Sequence, residues 1–452
     1  MLSRFVPDLA DIRALVRLAI PIASVQVGLM LMGVVDTVML GHVSSRELAA
    51  GALGTLIVYG FSGFTMGVLW STDPIVSQAL GASEHEAVAL GAQRALVLAL
   101  LLGVATSLAC IPADWIYRAL RQPPDVIPRA AAFVQVSAFG LVPMFIFITL
   151  RQCLQAMKRT QAVVGAIVVG NLVNLGLNWV FVFGHWGAPA MGVVGSAIST
   201  LIARFLMLGL ALVLARRELK PLLTPWRKAA TARTPLWRTL RLGLPIGAQN
   251  SVEYVTFASI SVFAGWFGAD AIAGHLVAIN LASLMYMVPM GIGSAASVLV
   301  GRAIGADDLP HARRVAASAL IVGMAYMLVS ACALLGFPGA FARGYTTVAS
   351  VVAVASMLIP IAGLFQVFDG MQVVAAGVLR GAGDTRASLV SNVLGFWLMG
   401  MPVSLWLGFR AGLGVVGLWW GFVAGLAGVA LFLVLRVRWL LLRPVQRVRM
   451  DD

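Results

Sequence analysis

Arg17-Leu18-Ala19-Ile20-Pro21-Ile22 returns in the second half of the chain as Arg241-Leu242-Gly243-Leu244-Pro245-Ile246. In the same register Gly41 falls on Gly265, Ala49 on Ala273, Met66-Gly67 on Met290-Gly291, and Gly81-Ala82 on Gly305-Ala306. Further on, Gly192-Val193-Val194-Gly195 recurs as Gly414-Val415-Val416-Gly417, two positions out of that register. Self-similarity at a nearly constant offset marks a duplicated unit, so the chain reads as two copies of one fold.

The repeated unit is built for a bilayer. Of 452 residues, 60% are apolar and only 11% are charged, against about 25% charged in a soluble domain. So little charge cannot coat a water-facing globule of this size. A soluble enzyme, a disordered chain, a collagen-like chain and a disulfide scaffold are all excluded on that ground, and an all-α integral membrane protein is expected. Cys110, Cys153 and Cys332 fit neither a disulfide framework nor a zinc site and read as small apolar core residues. The first apolar segment begins near Leu15 and runs for about 25 residues, too long for the apolar region of a signal peptide.

A crossing helix needs about 20 mainly apolar residues. Twelve stretches qualify: 14–40, 47–72, 88–112, 126–150, 160–184, 190–215, 238–264, 271–300, 313–336, 347–379, 386–409 and 413–436. Six spans per copy is an even number, so both copies enter the membrane in the same direction. The expected fold is therefore twelve transmembrane helices in two parallel six-helix repeats. The expected division is an N-terminal lobe over 1–215, a basic linker over 216–237, a C-terminal lobe over 238–440 and a tail over 441–452. The stretch from Arg216 to Arg241 holds eight Lys and Arg with three prolines. It reads as a cytoplasmic surface linker rather than a nucleic-acid patch.

The net charge of +14 is topological. With the N-terminus inside, twenty-five Lys and Arg fall on the cytoplasmic side and six on the other, and mid-span Arg204 completes the 32. The positive-inside rule then puts both termini in the cytoplasm. No nucleic-acid partner is expected.

Transporters made of parallel repeats hold substrate between lobes and rock about it. No Gly-rich phosphate-binding loop of the ATPase type is present, and Gly291 to Ala296 lies inside a span with no β-α-β setting. Secondary transport follows, with no enzyme activity, no catalytic residue and no resident cofactor expected.

Three acids lie within spans, where an ionisable group is expensive and functional by default. Glu253 is twelve residues beyond Arg241, about 18 Å along a helix, and Asp369 is eleven before Arg380, about 16 Å. Both lie near mid-membrane in the C-terminal half. Asp36, nineteen residues beyond Arg17 or about 28 Å, lies in the outer part of the N-terminal half. In the repeat register Asp36 falls on Ile260 and Glu253 on Leu29. The scaffold was duplicated and the acids were not, which separates them from structural need. Carboxylates are hard ligands, so Glu253 and Asp369 form a candidate Na⁺ site.

Polar neighbours follow helical spacing. Asn171, Asn174 and Asn178 share one face of the fifth span. Gln366, Asp369 and Gln372 share a face of the tenth, Asn250 and Glu253 a face of the seventh, and Asn280 sits in the eighth. The competing reading for each amide is a hydrogen bond that glues helices together. Arg204 reads as a side chain that snorkels or pairs with a carbonyl.

Taken together, the Arg17–Pro21 opening, Val35-Asp36-Thr37-Val38-Met39, the twelve spans and Arg380-Gly381-Ala382-Gly383-Asp384-Thr385 resemble the multidrug and toxic compound extrusion family. The resemblance covers essentially the whole chain and is nearest the NorM branch, which carries an acid in the first, seventh and tenth spans. Those positions match Asp36, Glu253 and Asp369. The resemblance implies that Asn174 and Asn178 neighbour Asp36. It also implies efflux of lipophilic cationic or zwitterionic drugs in exchange for Na⁺ or H⁺, by a monomer in contact with lipid in a bacterial inner membrane. A flippase for lipid-linked or polysaccharide precursors is the alternative. That task favours several cationic residues in a cleft, whereas the mid-span charges are three acids and one Arg.

Overall fold

The computed structural model describes residues 7–448. Residues 1–6 and 449–452, and with them both chain ends and the last part of the expected tail, lie outside the described residues. The described chain is mostly helical. In order the helices are α1 (Leu9–Val43), α2 (Ser45–Leu69), α3 (Thr72–Gly81), α4 (His85–Cys110), α5 (Ala113–Ala119) and α6 (Ile127–Phe139). Then come α7 (Leu141–Ala156), α8 (Gln161–Phe183), α9 (Val193–Leu214), α10 (Arg216–Leu223), α11 (Arg233–Gly265) and α12 (Ala269–Gly305). The last are α13 (Leu309–Gly336), α14 (Pro338–Tyr345), α15 (Ala349–Gly381), α16 (Arg386–Asn392), α17 (Met401–Leu405) and α18 (Gly414–Leu441). The backbone widens into π-helix at Val393–Gly400 and Trp406–Arg410, on either side of α17.

Each stretch expected from hydropathy is covered by a helix or a run of helices. Among the described residues, ten helices are long and apolar enough to cross a bilayer, and eleven when α6 and α7, bent by 46°, count as one. This is one short of the expected twelve. The remaining stretch is α11, 33 residues long, whose middle carries Gln249, Asn250, Ser251 and Glu253. Its length suffices for a span, and its polar load is what lowers its hydropathy.

Packing divides the chain differently from a linear cut at the linker. Among the described residues, one compact unit holds residues 7–23, Ser77–Ser83 and Ala248–Val448; the other holds Ser24–Val76 and Glu84–Gly247. The unit changes inside two unbroken helices, after Ala23 in α1 and after Gly247 in α11, two positions that the repeat register places on each other. Each copy thus lends the start of its first helix to the unit formed mainly by the other. Small residues make this possible. In the first unit, Leu15, Leu18, Ala19 and Ile22 share a buried cluster with Ile292, Ala295 and Leu299. In the second, Gly243 and Gly247 lie on the backbone of Val68 and Phe64 in α2.

Two contacts explain repeated sequence features. A Cβ on Gly81 would fall on the Arg302 carbonyl, and one on Gly305 would fall on the Gln78 carbonyl. The repeat-related glycines press on each other's helices, so neither tolerates a side chain. In the loop after α15, Gly383 has φ +84°, a conformation that favours glycine. Next to it Asp384 accepts a hydrogen bond from Arg436 Nε of α18 at 2.7 Å.

Carboxylate sites in the two units

Asp36 lies on α1 in the second unit, where α8 and α9 supply its partners. Asn178 Nδ2 donates to its Oδ1 at 2.6 Å and Asn174 Nδ2 to the same oxygen at 3.3 Å. Thr200 Oγ1 of α9 donates to Oδ2 at 2.8 Å. The ladder is cross-braced. Asn178 Nδ2 also reaches Asn174 Oδ1 at 3.2 Å, and Asn174 Nδ2 reaches Thr200 Oγ1 at 3.1 Å. Asn174 and Asn178 are fully buried, and both oxygens of the carboxylate are met by donors.

Arg204 sits one turn beyond Thr200, at i+4, and interacts electrostatically with Asp36 and Tyr59. Its Nη1 points to the Ser137 carbonyl at 3.5 Å, in the last turn of α6, where that oxygen also accepts from the Gly140 backbone N–H at 2.9 Å. A mid-span arginine is thereby tied to a helix C-terminus, where a cation is favoured. Asn171, the third member of the spacing ladder, does not join the site. Its Nδ2 donates to the Gly28 and Ile167 carbonyls at 3.0 and 2.9 Å, which ties α8 to α1.

The first unit brings Glu253 of α11 and Asp369 of α15 within electrostatic reach of each other. Tyr286 of α12 lies within electrostatic reach of both. Two amides reach Glu253 Oε2 at long range, Gln372 Nε2 at 3.5 Å and Asn392 Nδ2 at 3.4 Å. The oxygens turned the other way have no donor: Asp369 Oδ1, Gln372 Oε1 and Asn392 Oδ1 are all buried without a hydrogen-bond partner. Buried acceptors without donors are costly, and a set of carboxylate and amide oxygens is the ligand chemistry of a hard cation. The residues present therefore fit a small alkali cation or a proton. Among the described residues no group of three or more His, Cys, Asp or Glu gathers as a metal cluster.

The other polar residues picked out by spacing lie outside these contacts. Gln366 accepts from Ser330 Oγ at 2.8 Å and donates to the Ala282 carbonyl at 3.2 Å, joining α15 to α12 and α13. Asn280 is exposed and donates to Leu276 of its own helix at 2.8 Å. Asn250, half-buried, sits one turn before Glu253 on α11.

Three site members were missed in the sequence. Thr200 shares a helical face with Arg204, a spacing that was legible. Asn392 is the last residue of α16, where the helix opens into π geometry of the kind found at functional sites; as a lone amide in an apolar span it also carried a signal. Tyr286 had none, because a tyrosine in a membrane helix is commonplace.

Comparison with known proteins agrees with the repeat. The MatE family model matches residues 21–180 and again residues 245–406, and the two matches begin at Pro21 and Pro245, the prolines that open each copy. The multidrug resistance protein NorM of Photobacterium profundum is 32% identical over 440 residues, covering 95% of this chain and 96% of the relative. The multidrug resistance protein MdtK of Yersinia pseudotuberculosis is 32% identical over 448 residues, covering 96% and 97%. Among solved structures, a eukaryotic MATE transporter superposes with a TM-score of 0.87 at 21% identity, over 95% of this chain and 96% of that one. A superfamily transporter from Pyrococcus furiosus gives 0.85 at 20%, over 95% and 96%. With both halves matched in register and full-length relatives at this identity, the chain is an integral membrane protein of the MatE family.

Proposed function

We propose that this protein is a secondary active multidrug exporter of a bacterial inner membrane. It moves lipophilic cationic or zwitterionic drugs outward in exchange for Na⁺ or H⁺. The observation that carries the reading is a carboxylate site in each unit, half-buried to buried within a span, served by neutral amides and hydroxyls and not duplicated between the repeats. The names of the relatives, multidrug resistance proteins, support the same reading.

The chemistry follows from burial. An ionised carboxylate away from water needs a compensating positive charge. A proton, a Na⁺ or a cationic drug each meets that need, so occupancy by one makes another dispensable. Exchange of this kind is antiport when the site opens to alternate sides. Glu253 and Asp369 act as one unit for the coupling ion, with Gln372 and Asn392 oxygens as further ligands. Asp36, tuned by Asn174, Asn178 and Thr200, serves the second site. An inward membrane potential favours entry of the coupling cation by about 2.3 kcal/mol per charge per 100 mV.

In this reading the protein works as a monomer among lipids, and the distribution of arginines and lysines supports cytoplasmic termini and a cytoplasmic linker. The test is dye uptake by inverted vesicles loaded with Na⁺ or with acid in separate arms. Uptake driven by one of these gradients is expected. Uptake that needs ATP, or that ignores both gradients, overturns the reading.

A further inference from the structure

The end of α18 combines a lipid-like face with a cluster of cations. Leu431, Phe432 and Leu435 are exposed at 62%, 42% and 53%, and form an apolar strip along the outside of the helix. One turn on, the strip meets Trp439, itself 42% exposed. Two guanidinium groups lie over this indole. The Arg436 Cζ is 4.3 Å from the ring centroid and the Arg443 Cζ 3.8 Å. Arg436 is further fixed by Asp384, whose Oδ2 accepts from its Nε at 2.7 Å. Arg313 of α13 reaches the same helix end, donating from Nε to the Leu441 carbonyl at 2.6 Å. Arg438 is exposed between them.

We propose that this end of α18 binds the headgroup of an anionic glycerophospholipid. Arg443 and Arg436 hold the phosphate beside Trp439, and the acyl chains lie along Leu431, Phe432 and Leu435. The guanidinium fork matches a phosphate in two parallel hydrogen bonds. Stacking on the indole orients both forks before the ligand arrives. Tryptophan is the residue that marks the headgroup level of a bilayer. A free phosphate engages the arginines alone, whereas only a lipid also covers the apolar strip, and this continuity selects the lipid.

The experiment uses the full-length protein in neutral detergent with three probes: dioleoylphosphatidylglycerol, dioleoylphosphatidylcholine and glycerol 3-phosphate. Binding is read by native mass spectrometry and by the shift in melting temperature. Phosphatidylglycerol is expected to bind and to raise the melting temperature, with phosphatidylcholine and glycerol 3-phosphate having little effect. Arg443→Gln is expected to weaken phosphatidylglycerol binding about fivefold, the effect of one basic residue near an anionic surface. Trp439→Leu tests the stack, and Arg343→Gln, on α14, serves as the control that changes nothing. Arg443 is exposed and outside the packed clusters, so its variant remains readable even if Trp439→Leu fails to fold. Equal binding of the two lipids, undiminished phosphatidylglycerol binding by Arg443→Gln, or full competition by glycerol 3-phosphate each overturns the proposal.

Discussion

Asp36 is met by donors on both carboxylate oxygens, from Asn174, Asn178 and Thr200, whereas Glu253 receives two long amide contacts on one oxygen. In that second site, Asp369 Oδ1, Gln372 Oε1 and Asn392 Oδ1 have no donor. Around Asp36 the comparable loose end is a single amide oxygen, Asn178 Oδ1. Two copies of one scaffold have thus been given opposite local chemistry. The first arrangement stabilises one negative charge by hydrogen bonds and a nearby guanidinium. The second leaves buried oxygens without donors, a chemistry that suits a cation or a proton. The difference teaches that duplication fixed the helices while the polar filling diverged, and it supports the proposal that the coupling cation is held in the lobe with surplus acceptors.

The largest effects should come from the acids. If Na⁺ is the coupling ion, Glu253→Gln and Asp369→Asn are each expected to bring Na⁺-driven dye uptake in inverted vesicles to background; if it is H⁺, each should shift or flatten the pH dependence of uptake. The double variant should be no worse, because residues acting as one unit are not additive. Retention of full Na⁺ coupling by either single variant breaks the assignment. Asp36→Asn should likewise abolish drug resistance in cells while the protein still inserts, as judged by its level in isolated membranes.

Smaller effects sharpen the contrast between the lobes. A hydrogen bond to a charged group is worth roughly 1.5–3 kcal/mol, so Asn178→Ala and Thr200→Val should each lower transport about tenfold or more. Asn174→Ala, whose bond is longer, should cost less, and Asn171→Ala should change transport little. A large loss on Asn171→Ala with none on Thr200→Val refutes the partner assignment. In the other lobe, Asn392→Ala should raise the Na⁺ concentration needed for half-maximal uptake, and Asn280→Ala should leave it in place.

The smallest effect is expected in the linker. Gln93 holds it through the backbone, donating to the Leu222 and Pro225 carbonyls at 2.8 and 3.1 Å and accepting from Arg227 N at 2.9 Å. The Arg227 side chain, partly buried, lies 4.0 Å from exposed Glu86, and so long a pair contributes little. Replacing Lys220, Arg227 and Lys228 by Gln should therefore leave resistance within about twofold, since surface substitutions rarely exceed about 0.5 kcal/mol. A severe loss in well-expressed, correctly oriented protein means that those side chains have a role beyond connection.

Much of this was legible in the chain. Apolar run length and helical spacing are local properties, so the sequence alone determined the helices, the duplication and the three acids that break an apolar pattern. The acids stood out because burying charge is expensive wherever it occurs. The amides did not sort themselves, since Asn171 and Asn178 occupy one helical face and only the neighbouring helix separates glue from site. Contacts between distant helices depend on how closely backbones approach. That decided the pairing of Thr200 with Asp36 and of Asn392 with Glu253. It also decided the change of unit at Ala23 and Gly247, where small residues let α1 and α11 cross over and no charge or turn in the sequence marks the place.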